Sequence, residues 1–309
     1  MDLTFTPEQE ELRAQARAYL ATEHNPTWRE LAALGWTGVS VPVEQGGAGL
    51  GFVEEAILLE ALGGALSPGP YLATVAGLLP ALPPDEQAKV AAGEASWVLS
   101  LGPLVPNLDT VTNVAIVGGD GIFELVGFER ELLATHDETR PLGVVTGGEP
   151  GRRLAASEWL PRLRARVLAG LAAEACGVGA RALELALEHA RTRKQFGKAI
   201  GSFQSVAHPL VDVFTQLQLG RSLALWAAWC VAVDDPRTAL AAAGAKSVAG
   251  DAAVLACERA IQTLGGAGFA WDTPLRALYA RALGIRAWEA GSAQLYSEIA
   301  TELLEGGEA

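Results

Sequence analysis

From Val167 onward the apolar residues of this chain return at helical spacing for most of its remaining length. Val167, Leu171, Ala175, Val178, Ala182 and Leu185 fall on one stripe, the mark of a helix with a buried face. The stripe predicts a long helix that ends near Arg193–Gly197. Phe203–Val233 and Pro236–Leu264 form the next two helical segments, and Pro274–Ile285 and Glu289–Leu304 are plausible shorter ones. Thr273-Pro274 is a helix-start signal for the first of these two. Consecutive helices of this length bury their stripes against one another, so the last half of the chain reads as a helical bundle.

The region before it changes period. Ser96–Leu101, Val111–Val117, Ile122–Val126 and Leu142–Val145 are short β-branched or apolar runs, and Gly118-Gly119-Asp120-Gly121 joins two of them as a turn. They predict a small antiparallel sheet, with Pro103–Asp109 and Gly147–Arg152 as flexible connections. Helical signals return upstream. In Thr6-Pro7-Glu8-Gln9, Thr6 can cap, Pro7 suits the first helical position and Gln9 completes a capping box. Leu12, Ala16, Tyr19 and Leu20 then share a face, and Trp28–Leu34, Val53–Leu62 and Tyr71–Leu82 read as further helices. The expected fold class is α+β, mostly α. It comprises an N-terminal helical domain (1–92), a small shortened β-sheet domain (93–154) and a C-terminal helical bundle (155–309).

Composition narrows the function classes. Half of the 309 residues are apolar, enough for a large core. Asp and Glu number 36 against 23 Lys and Arg, a formal charge of −13. That balance argues against nonspecific nucleic-acid binding, which needs basic surface, while leaving room for a local basic site facing one phosphorylated ligand. The four histidines and three cysteines show no metal-ligand spacing. Cys176, Cys230 and Cys257 each lie in an apolar segment, as buried thiols of a reducing compartment do. No uninterrupted apolar run reaches the ~18 residues of a membrane span, and the first residues lack the basic stretch of a signal peptide. A cytoplasmic protein that binds no membrane is expected.

The chemistry concentrates between Gln262 and Gln294. Gln262-Thr-Leu-Gly265-Gly266-Ala-Gly268-Phe269 is a glycine-lined turn that a ligand can approach closely. Glu289 follows in Trp288-Glu289-Ala290-Gly291-Ser292, where apolar neighbours would raise its pKa and make it a better base. The competing readings are plainer: Glu289 as a solvated helix-start glutamate, and Gly265-Gly266 as a helix-ending turn. Glu174 and Asp272 are the reserve acids; Glu174 sits in an apolar helix, and pairing with a buried arginine is its favoured reading. Gly46-Gly47-Ala-Gly49-Leu-Gly51 lacks a strand–helix context and reads as a tight loop, and His208 reads as a packed histidine. Ala172, Ala173 and Gly177 are small enough to leave room for a bulky acyl group.

Three motifs together resemble one family. Arg191-Thr-Arg193-Lys-Gln-Phe196-Gly197, continued by Ile200 and Phe203-Gln204, is similar to the Arg-x-x-Phe-Gly…Ile…Phe-Gln signature of acyl-CoA dehydrogenases. Gln262-x-x-Gly265-Gly266 resembles their second signature, and Leu34-Gly35-Trp36 through Gly51 resembles their first helical domain. The resemblance covers the first 82 residues and roughly 165–300. It implies FAD held across a subunit interface, with Arg193, Phe196, Gln204, Gln262, Gly265, Gly266 and Gly291 at the cofactor. For Arg193 the alternative is a cap on its own helix. The position of the family's catalytic glutamate falls on Glu289. The family's Trp-x-x-x-Gly-x-Lys and Thr-Glu-Pro…Gly-Ser-Asp segments, which bind and shield the flavin ring, do not occur here. That departure resembles a branch acting in sterol and cholate breakdown, in which two unlike subunits pair as α2β2.

The resemblance implies α,β-desaturation of an acyl-CoA thioester, in a homo- or hetero-oligomer (a dimer or an α2β2 tetramer) that passes electrons to an acceptor flavoprotein. The alternative of a different class is a non-catalytic partner that completes the FAD site of a homologous chain. A flavin-free helical interaction module is the third.

Overall fold

The computed structural model describes residues 4–22, 25–270 and 272–305. The chain opens on helix α1 (Pro7–Thr22). The Thr6 amide donates to Gln9 Oε1 at 3.0 Å and the Gln9 amide donates to Thr6 Oγ1 at 3.3 Å, so the capping box forms as its spacing requires. Ala16 and Leu20 are buried and Leu12 and Tyr19 half-buried along one face. Helices α2 (Trp28–Ala33), α3 (Phe52–Gly64) and α4 (Pro84–Ala91) follow, with a π-helical segment at Leu72–Leu78. Helix α4, absent from the sequence expectation, starts on Pro83-Pro84 and carries Asp85 and Glu86 in its first turn, where the helix dipole favours them.

The middle region is a five-stranded sheet: β1 (Trp97–Ser100), β2 (Val105–Pro106), β3 (Asn113–Gly118), β4 (Gly121–Leu133) and β5 (Leu142–Ala156). Its order is β1-β3-β4-β5-β2. The Gly118–Gly121 turn joins β3 to β4 as expected. Three expectations fail. The sheet is mixed, because β1 and β3 run parallel. Pro103–Asp109 is not a flexible connection: it crosses to the far edge, where Val105 and Pro106 pair with β5. Val105, Leu108 and Val111 there build a small core with Val98, Val114 and Leu125. Proline is tolerated because β2 is an edge strand. Gly147–Arg152 lies inside β5, whose pairing with β4 runs on through it with register shifts.

Helices α5 (Trp159–Thr192), α6 (Gln204–Ala232) and α7 (Thr238–Leu264) make the bundle, and α8 (Leu275–Ala287) and α9 (Ser292–Glu305) close it. The three long helices approach closely at small residues. A Cβ on Gly179 of α5 would stand 3.2 Å from the Ala253 Cα of α7, with Leu217 of α6 beside it. A Cβ on Gly177 would overlap the Glu60 carbonyl of α3. Gly177 therefore lets α5 approach α3 closely, and it also borders a cavity of about 580 Å³ with Gly64, Ala180 and Arg181; Ala172 and Ala173 are buried. Helix α7 is long and apolar enough to cross a membrane, a property that a search for uninterrupted apolar runs misses. In this fold 72% of its apolar window is buried inside the protein.

Candidate functional site

Helix α8 ends at Ala287, and the chain turns sharply before α9 begins at Ser292. Glu289 lies in that turn and not on a helix start. Its φ is 63°, and the Ala290 amide donates to the Trp288 carbonyl at 2.8 Å across it. A two-residue hydrogen bond around a positive φ is the tight, strained form of γ-turn, rare for a residue with a Cβ. The turn puts Glu289, half-buried, on the wall of an apolar cavity of about 440 Å³. Leu72 and Ala73 of the N-terminal region, Val98 of β1, Pro106 of β2 and Leu163 and Leu168 of α5 supply other walls. Burial raises the Glu289 carboxyl above the usual carboxylate range, against opposing pulls from Arg164, Trp288 and Lys246. Arg164 is itself engaged by Glu298 of α9, at 3.0 Å to each carboxylate oxygen. Trp288 also borders a second cavity, of about 650 Å³, between α8 and the β4–β5 connection.

The reserve acids resolve differently. Glu174 is buried and bound by two arginines: Arg140 from the β4–β5 connection and the almost wholly buried Arg281 from α8. Burial pushes its carboxyl up, but the two guanidinium groups outweigh that and hold it below the usual range. Arg281 also reaches Asp137 Oδ2 at 2.9 Å and the Thr139 carbonyl at 2.8 Å, so this cluster fastens the β4–β5 connection to the bundle. Asp272 is exposed. His208 is exposed on α6, not packed as expected, because it falls outside the buried stripe of Leu210, Val213 and Leu217.

The cofactor residues expected from sequence occupy another part of the molecule. Arg193 is the first residue after α5; its amide donates to the His189 carbonyl, while its exposed guanidinium has no carboxylate partner among the described residues. The helix-capping alternative for the Arg193 side chain therefore finds no support, since backbone and the Thr192 hydroxyl serve the last carbonyls. Strands β6 (Lys194–Gln195) and β7 (Lys198–Ala199) form a small hairpin with Phe196 at its tip, 92% exposed. Gln204 opens α6 and is exposed. Gln262 lies in the last turn of α7, and Gly265 (φ 61°) and Gly266 follow in an open 3-10 turn that ends on Phe269, 80% exposed. Gly291 is exposed beside Glu289.

The bundle fixes how these groups relate. From the contact of Gly179 with Leu217 and Ala253, α5 and α7 run on, and α6 runs back, to one common end. The Arg193 hairpin, Gln204 and the Gln262–Gly266 turn therefore arrive there together. Glu289 does not. The turn that carries it is held at Lys246, 18 residues before Leu264, roughly 27 Å away along α7. One protomer places the phosphate-type elements and the acid far apart.

Comparison with known proteins resolves the kinship. The C-terminal domain of acyl-CoA dehydrogenases matches residues 164–304, and their N-terminal domain matches residues 6–83. Acyl-CoA dehydrogenase IpdE2 of Mycobacterium tuberculosis is 32% identical over 286 residues, 88% of this chain and 85% of its own. The chain belongs to the acyl-CoA dehydrogenase family. Acyl-CoA dehydrogenase FadE34 of the same organism is also 32% identical, over 91% of this chain, but the chain spans only 42% of it. Two solved structures share the fold. The Tcur3481-Tcur3483 steroid ACAD has a TM-score of 0.87 at 24% identity and covers 98% of this chain and 99% of its own. The ChsE4-ChsE5 complex of M. tuberculosis has a TM-score of 0.86 at 23% identity, with 99% of each chain covered.

As a family member the chain is an FAD-dependent oxidoreductase. Its residues fit the phosphate end of that cofactor. Arg193 presents an uncompensated guanidinium fork suited to phosphate oxygens, and the Gly265-Gly266 backbone stands open to close approach. Sequence reasoning missed Lys246, Arg281 and Arg140. A signal was available for one of them: Lys246 is the single charge in the run Ala239–Gly250, whereas Arg281 is one of three arginines on α8, with Arg276 and Arg286.

Proposed function

We propose that this acyl-CoA dehydrogenase is one subunit of an oligomer that desaturates an acyl-CoA thioester, with Glu289 as the base that takes the α-proton. The observation that carries the reading is Glu289 itself: a half-buried carboxylate, raised by burial, on the wall of a ~440 Å³ apolar cavity. FAD, when bound, supplies the acceptor for the hydride that leaves the β-carbon. This chain's residues do the rest. The apolar walls receive the acyl group and exclude water. The γ-turn aims the carboxylate at the α-carbon, and one Glu289 oxygen accepts the proton. Arg193, Phe196, Gln204, Gln262, Gly265 and Gly266 hold the cofactor's phosphate end for a neighbouring subunit, while Gly291 serves the site beside Glu289. That division follows from the length of α7 between the two groups. The partner is a second copy or a homologous chain. The ChsE4-ChsE5 complex supports an unlike pair, and the steroid type named for Tcur3481-Tcur3483 supports a bulky ring substrate. A cytoplasmic setting, with an electron-acceptor flavoprotein, belongs to the same proposal; the three free, buried thiols support it.

The deciding experiment is Glu289→Gln in the complex reconstituted with a co-purifying family member and assayed by bleaching of the flavin with acyl-CoA. Loss of turnover with flavin retained supports the base. A second reading is favoured by the exposed Arg193 hairpin: a non-catalytic partner that completes the FAD site of a homologous chain. Unchanged turnover in Glu289→Gln, together with flavin loss in Arg193→Ala, would select it.

A further inference from the structure

Lys246 lies in the middle of α7 with no exposed surface. A buried ammonium is unfavourable unless its protons are taken up by good acceptors. Two backbone carbonyls do so. Lys246 Nζ donates to the Arg286 carbonyl at 2.8 Å and, more closely still, to the Ala290 carbonyl. The first belongs to the last turn of α8, whose carbonyls lack helical partners. The second lies just past the strained turn at Glu289. The two acceptors bracket the segment that carries the candidate base. A positive-φ γ-turn persists only where its surroundings over-determine it, and among the described residues these are the side-chain hydrogen bonds made to that segment's backbone.

We propose that Lys246 is the positioning residue of this site: its two hydrogen bonds hold the γ-turn at Glu289 and thereby fix the aim of the carboxylate into the apolar cavity. The proposal rests on the reading of Glu289 as the base. Lys246 also faces that carboxylate as a counter-charge. The other charged groups that act on it are Asp251 on α7, which accepts from Ser292 at 3.0 Å, and Arg164 on α5, which is itself bound by Glu298 of α9. Burial brings the Lys246 pKa down to about 8, opposed by Asp251 and Glu289, so the ammonium form still prevails at pH 7. In that form it favours ionised Glu289. Removing it raises the Glu289 pKa further and frees the turn.

The test is Lys246→Met in the full-length chain, read by amide hydrogen exchange and by carboxyl ¹³C titration of glutamate-labelled protein. Protection at residues 288–291 is expected to fall at least about tenfold, with α7 and α8 still protected, and Glu289 is expected to titrate at higher pH than in the wild type. In the reconstituted complex kcat is expected to drop on the order of 10²-fold with KM little changed. Unchanged exchange and titration would overturn the proposal. So would a uniform loss of protection through α7 and α8, which means a structural lysine only. If the variant does not fold, the wild type decides. An Ala290 amide that exchanges as fast as the exposed turn at Gly119-Asp120 rules out a held γ-turn. Exchange and titration judge Lys246 without any turnover, so they fail separately from the Glu289→Gln assay that judges the base.

Discussion

A carboxyl group raised by burial is stable in the fold while protonated and a liability once ionised. For Glu289 the folded pKa lies above its ordinary 4.5, so this group's contribution to stability is lost as pH rises through the folded value. Glu289→Gln is therefore expected to melt higher than the wild type at pH 8 and to match it more closely at pH 4, by thermal unfolding at both pH values. The same variant is expected to lose 10²- to 10⁴-fold in turnover, the usual scale of a general base. Glu174 is the opposite case. Its charge is compensated by Arg140 and Arg281, and removing it leaves the largely buried Arg140 without its carboxylate and Arg281 with Asp137 alone. Glu174→Ala is expected to cost about 3–5 kcal/mol by urea denaturation. Both acids sit in apolar stretches of sequence; the sequence favours a buried-arginine pair for Glu174, as found, without saying which arginines form it. What separates them is the company each keeps from distant parts of the chain, and Arg140 and Arg281 are invisible to any local window.

At the level of elements, the long periodic helices were the legible part. The stripe from Val167 to Leu185 marked α5, and the capping box at Thr6 marked α1 to the residue. The failures share a cause. Strand β2 has two residues and no period to detect, and the proline and glycines of Pro103–Asp109 and Gly147–Arg152 are local loop signals. Pairing with β5 in the first case and β4 in the second overrides them. The proposed cofactor residues are readable only through their motifs. The hairpin that carries Arg193 and Phe196 shows why: it makes few contacts of its own and leaves both side chains in solvent. Its expected behaviour follows. Arg193→Ala should change the melting temperature of the chain by little, since surface substitutions stay within about 0.5 kcal/mol. It should lower the ratio of flavin to protein absorbance of the assembled complex after gel filtration.

At the scale of the whole molecule, Phe196 and Phe269 are exposed near the common end of the three long helices. Exposed apolar groups gathered in one region mark an interaction surface. On the proposed reading, sedimentation of the chain with its partner gives an assembly larger than one chain. Phe196→Ser is expected to weaken that assembly while the isolated chain keeps its helical circular dichroism.

The distance along α7 between Lys246 and Leu264 has a genetic consequence. If two copies of this chain build the enzyme, each reaction centre draws its acid from one polypeptide and its phosphate grip from the other. Two inactive mutants, Arg193→Ala and Glu289→Gln, then rescue each other when mixed. Every mixed pair carries one doubly damaged centre and one intact one, so random reassortment restores on the order of a quarter of full turnover. An unlike pair permits no such rescue, and the mixing experiment thereby tells a self-paired enzyme from one that depends on a relative.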